Sequence, residues 1–164
     1  MNTKDIQLLY NYNRWANARI LNAASNLTVE QFLAPAPFPH GGLRSTLTHV
    51  LFAEWLWRKR MEGDSPSVWI QPEEFPTLEP LRARLLEEGA AMDKFIASLT
   101  DEKLASVFHY KTTRGDPKED VFWQVMIHVV NHGTQHRSEA AAILTEMGSS
   151  PGDMDLIVFL RENK

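Results

Sequence analysis

Three of the six histidines stand at four-residue intervals: His128, His132 and His136. Neutral imidazole is the commonest protein ligand for metal ions. A His-x-x-x-His pair is a natural two-point chelate, because side chains four apart on a helix are neighbours about 5–6 Å apart at Cβ. That gap lets two ring nitrogens reach a zinc-like ion at about 2.0–2.1 Å. One ion cannot take all three, since His128 and His136 lie two turns apart, about 12 Å along a helix axis. One adjacent pair is expected to bind, and the remaining histidine to support it from outside or serve structure. The same spacing also suits a buried polar network in which each ring is satisfied by a neighbour. The chain contains no cysteine, which removes disulfides, thiolate ligands and a protein-borne cysteine nucleophile.

A third ligand has to come from another helix. His49 is the best candidate, because it shares a helical face with Thr46, Val50, Ala53 and Trp57 and so points inward. His40 falls in a loop and His109 in an expected strand, and both read as surface or packing residues. Glu139 projects about 20° from both His128 and His132 around a helix. It could hydrogen-bond a ligand ring, approach a metal or act as a base, and its plain reading is an outer or solvent-facing carboxylate.

The elements that must position these groups follow from hydrophobic period. His128, His132 and His136 span an arc of roughly 80°, shared by Val125, Val129, Ile143 and Met147. This predicts a long helix from about Glu119 or Asp120 to Met147, with Gly148 just past its end. The helix of His49 runs from about Leu43 to Glu62. A first helix from about Thr3 to Ala24 carries Ile6, Leu9, Tyr10, Ala16, Ile20, Leu21 and Ala24 on one stripe, together with Asn13 and Asn17. Those two amides either bond a neighbouring helix or face a polar cavity. Trp15 lies off the stripe, as a surface aromatic, a cavity wall or a dimer contact. Trp55 and Trp57 read as core.

Thr28 to Gln31 forms a capping box, and Ala34 to Gly42, with three prolines and two glycines, is loop. Ser65 to Pro80 is a connection whose Trp69 and Phe75 pack over the helices. A third long helix carries Leu78, Leu81, Leu85, Met92, Phe95, Ile96 and Leu99. Between about Val107 and Lys118 the period shortens, and a small hairpin turning at Arg114-Gly115-Asp116 is expected. The apolar segment Asp155 to Leu160 must dock somewhere. The predicted fold is all-α: one domain over residues 1–164, a four-helix bundle with crossover connections and a small β-hairpin before the last long helix.

Apolar residues make up 43% of the 164 and charged residues 23%, with a formal charge of −4. These are values of an ordinary globular chain, with no basic field for a nucleic acid. Arg58-Lys59-Arg60 reads as a solvated helix face. No apolar run approaches the roughly 20 residues needed to cross a bilayer, and the N-terminus lacks the apolar core of a signal peptide. Cytoplasm is therefore the default location.

Several segments together resemble the DinB/YfiT family of small metal-binding helical bundles, essentially from end to end. Tyr12-Asn13-Arg14-Trp15-Ala16-Asn17 is similar to that family's first-helix pattern. Ser45 to His49, followed by Glu54-Trp55-Leu56-Trp57, is similar to its second-helix histidine segment. His128 to Arg137 resembles its fourth-helix signature, and Pro151 to Leu156 its tail. The resemblance implies a metal triad of His49, His132 and His136, leaving His128 aside, with zinc or nickel as the ion and a homodimer as the assembly. Ser138-Glu139 depart from the Gly-Gln that often follows Arg137 in the family. Relatives include thiol transferases and a thiol-dependent isomerase. The resemblance therefore implies a metal-dependent transferase that takes a low-molecular-weight thiol as co-substrate and acts on a small molecule, with Glu139 or His128 moving a proton. The alternatives are a non-catalytic, stress-associated module that binds metal or small ligands, and a metal-dependent hydrolase.

Overall fold

The computed structural model describes residues 1–163. Among them it contains seven helices: α1 (Thr3–Ala24), α2 (Val29–Leu33), α3 (Leu43–Met61), α4 (Leu78–Ala97), α5 (Asp101–Ala105), α6 (Phe122–Glu146) and α7 (Leu156–Glu162). One antiparallel hairpin, β1 (Val107–Lys111) with β2 (Pro117–Val121), precedes α6. The four long helices form the bundle, with α6 against α1 and α3, and α4 against the same two.

Local chemistry sets the boundaries. Asn2 caps α1 in a reciprocal box with Asp5, and Thr28 does the same for α2 with Gln31. Gly148, with φ of 77°, takes the left-handed turn that ends α6. The helix α6 begins at Phe122, later than the expected Glu119 or Asp120. Those two carboxylates belong to β2, where Glu119 faces His109 and Asp120 faces Phe108. The ladder supplies backbone partners that a helical start would forfeit, and Phe122 N donates to Ser106 O at 3.0 Å as the chain turns into the helix.

Three further expectations change. Arg58 and Arg60 are buried, and only Lys59 of that run is half-exposed. Arg58 donates from Nε and Nη2 to both oxygens of Glu88 on α4, and Arg60 lies over the rings of Trp57 and Tyr110. Burial of these cations is tolerated because one has a bidentate carboxylate and the other has aromatic faces. Trp55 and Trp57 are half-buried instead of core. Trp15 packs on Phe159 of α7, with centroids 5.6 Å apart, and donates from Nε1 to Glu162. The terminal apolar segment thus docks on α1, and Trp15 is part of its seat.

The apolar interior forms two clusters. One gathers Ile20, Leu43, Leu47, Leu81, Ile143 and their neighbours, and the other Ile6, Tyr10, Met92, Phe122 and Met126. Buried polar side chains from three helices join in the same interior. Asn13 and Asn17 of α1 each donate an amide hydrogen to Glu54 Oε1 on α3, at 2.7 and 3.0 Å. Their own carbonyl oxygens accept from Arg137 Nη1 on α6. Arg137 Nη2 donates to Thr134 Oγ1 at 3.0 Å. The two amides therefore bond adjacent helices. Gly133 makes room for this, since a Cβ there would lie 2.6 Å from Arg137 Nη1 and 3.0 Å from Asn13 Oδ1.

Candidate metal centre

The turns of α6 that carry Gly133 and Arg137 also carry His132 and His136. These rings meet His49 from α3. His49 Nε2 and His132 Nε2 are 3.1 Å apart. Two nitrogens on one tetrahedral ion at 2.0–2.1 Å would stand roughly 3.3 Å apart, so this pair is already near ligand spacing. The His136 ring centroid lies 4.6 Å from that of His49 and 4.4 Å from that of His132.

A fourth ring joins them. His40, at the end of the Ala34 to Gly42 loop, stacks on His49 with centroids 4.0 Å apart and planes 23° from parallel. His40, His49 and His136 can each place one ring nitrogen within 4.8 Å of the others, a cluster that could hold a metal ion. His40 is thus a member of the histidine cluster, not merely a surface or packing residue. Backbone bonds of the loop deliver it: Ala36 N donates to Gly41 O at 2.9 Å, and Gly41 N to Phe38 O at 2.8 Å. Gly42 must lack a side chain, because a Cβ would fall 2.6 Å from Ala34 O. The available signal in the sequence was position alone, a histidine in the turn that feeds the helix of His49.

The other candidates separate. His136 Nδ1 lies 2.9 Å from Glu139 Oε2, both side chains being largely covered. A carboxylate only accepts, so Nδ1 carries the hydrogen, and Nε2 is the nitrogen left available to a metal. Glu139 thus orients the ring of His136, as carboxylates commonly do behind a ligand histidine. His128 is exposed, its centroid 5.8 Å from that of His132, and its ring meets Trp57 edge-on at 5.4 Å. Each four-residue step rotates 40° around the helix. The histidine row therefore drifts off the inner face, from buried His136 through half-buried His132 to His128 in solvent. His109 is exposed on the hairpin beside Glu119.

Electrostatics keeps the cluster ready for a cation. Burial pushes His49 down to about 3, helped by the neighbouring imidazoles of His40, His132 and His136. Burial, with His136 and His128 adding to it, lowers His132 to about 4. Burial also lowers His40. Neutral rings with free lone pairs are what a divalent ion requires of histidine, so the donor set fits such an ion. The same shifts predict an acid-labile apo chain. A folded-state pKa below the unfolded value of about 6.5 means that the native state binds fewer protons. The stability contributed by neutral His49 and His132 is complete above about pH 6.5 and is lost as pH falls towards 4 and then 3. Urea unfolding of metal-free protein across this range should show it, and His49→Gln should flatten the slope. An unchanged slope in that variant would refute the assignment.

A model of the DinB family matches residues 1–164. The chain belongs to the DinB family. Protein DinB of Bacillus subtilis (strain 168) is 26% identical over 169 residues, covering 95% of each sequence. A crystal structure of a conserved Enterococcus faecalis protein shares the fold, with a TM-score of 0.56 at 17% identity over 84% of this chain and 94% of that one. Membership covers the bundle, the hairpin and all four clustered histidines. Among the described residues of this DinB chain, no helix is long and apolar enough to cross a membrane.

Proposed function

We propose that this chain binds one divalent transition ion, zinc or nickel, through His49, His132 and His136, and uses it to deliver a small thiol or similar nucleophile to an electrophile. The observation that carries the reading is the convergence of neutral imidazoles from α3 and α6, with His49 Nε2 and His132 Nε2 3.1 Å apart. An ion held there lowers the pKa of a water or thiol that it binds. The chain's own residues do the rest. The α3 and α6 backbones fix His49 and His132, and Glu139 sets the tautomer of His136. In this reading His128, in solvent one turn from His132, is the residue that moves a proton at the rim.

Elemental analysis of protein purified without a histidine tag is expected to find about one zinc or nickel per chain. Loaded protein should then consume thiol in the presence of a suitable electrophile, and chelation should stop it. Full loading without thiol consumption across diverse electrophiles would overturn the transferase reading. One observation favours a second reading, a closed binding module without catalysis: His40 groups with His49 and His136, while His132 Nε2 lies 3.1 Å from His49 Nε2, so a fourth imidazole borders the site.

A further inference from the structure

We propose that His40 is a displaceable fourth ligand of this centre, which occupies the remaining coordination position at rest and leaves it when an exogenous donor such as a thiol enters. The inference rests on the metal reading above. The approach is close: His40 can place a ring nitrogen within 4.8 Å of donors on His49 and His136. Its ring stacks on His49 at 4.0 Å and 23°, so ligation requires the His40 ring to turn until its in-plane lone pair meets the ion. Four imidazoles complete a tetrahedral set, whereas three leave a position open.

The manner in which His40 is held marks it as the one to leave. His49 and His132 ride on long helices, and Glu139 anchors His136 from behind. His40 sits on a nine-residue loop with no hydrogen bond to its ring among the described residues, and it is half-exposed. An outer partner normally costs 10–100-fold in affinity when removed; His40 has none to begin with. Its surroundings also permit a swing outward. Gly41 follows it with φ of 81° and open space around its α-carbon, and Pro39 before it is exposed. The base of the loop stays put, pinned by the Pro35–Gly42 bridge and by Phe38 against the apolar core. Release is therefore a movement of one side chain and its immediate turn, with the helices unchanged. One donor leaves as another arrives, with no change of oxidation state and with the thiol proton passing to solvent. This arrangement accounts for both a closed resting centre and a reactive one.

Cobalt(II) is the probe, added to the metal-free chain and to His40→Ala and His40→Gln, with circular dichroism confirming that each variant keeps its helices. Both variants should shift the visible d–d bands and weaken cobalt binding on the order of tenfold, the lower end of what losing an outer ligand partner costs. In the intact chain the His40 ring protons should be paramagnetically shifted, and 2-mercaptoethanol should remove that shift while changing the bands. The variants should saturate with 2-mercaptoethanol at a lower concentration, again on the order of tenfold, having no ring to displace. Identical bands, affinity and thiol titration in both variants would overturn the assignment of His40 and leave the metal reading intact. Persistence of the His40 shift at saturating thiol would show that the ligand does not leave, and would overturn the displacement. An intact chain that binds no cobalt would overturn the metal reading itself, and this inference with it.

Discussion

Glu54→Leu is expected to lower stability by about 3–5 kcal/mol, the usual cost of stripping the partner from a buried charge. For a chain of this length that is a fall in Tm of roughly 10 °C. The reason is Arg137, which is 2% exposed and linked to the 5% exposed Glu54 only through the amides of Asn13 and Asn17. Removing the carboxylate leaves a guanidinium in the interior with no anion and two amide N–H groups with no acceptor. Glu54→Gln separates these effects. Its amide oxygen can still accept from both asparagines while the charge is gone, so it should lie between wild type and Glu54→Leu. Chemical denaturation of the three proteins decides the matter. A Glu54→Leu protein within about 1 kcal/mol of wild type would show that Arg137 needs no anion.

His49→Ala should abolish useful metal binding while leaving the bundle folded. The ring is half-buried and is not part of the apolar clusters, so its loss removes little packing. Like His136, it lies against all three other rings of the cluster, and it is the one of them that comes from α3. Affinity should fall by more than the roughly 100-fold that marks the upper range for an outer partner. Glu139→Ala gives the graded comparison, because it loosens His136 without removing a donor and should cost about 10–100-fold. Competition against a chromogenic chelator measures both. Equal losses in the two variants, or a His49→Ala protein binding within about tenfold of wild type, would refute the placement of the centre at the α3–α6 contact.

Much of this was legible in residue order because it is periodic. The four long helices follow from stripes of three and four, and their ends follow from boxes and glycines that act within one turn. The inward direction of His49 is equally local, whereas the choice of His132 with His136 over His128 with His132 came from the family resemblance and not from the period. What was not legible depends on contacts between distant parts of the chain. Asp120 looks like a helix start until the strand opposite it is known. Arg58 and Arg60 look solvated until Glu88 and the Trp57–Tyr110 pair come up against them. His40 has no period to betray it, since a loop residue is aimed by the turn that carries it. Asn13 and Asn17 showed their oddity at once, but their partners lie on α3 and α6, dozens of residues away.

The polar bonds joining α1, α3 and α6 have one more consequence. Greasy helices can slide past one another at small cost, since one leucine substitutes for the next. Directional bonds cannot: displacing α6 by one turn, about 5.4 Å, would part Arg137 from both asparagines and carry His132 and His136 away from His49 on α3. The same bonds that penalise slippage therefore keep the histidines aligned before any ion arrives. Loading should accordingly be a simple second-order capture, with no slow folding phase behind it.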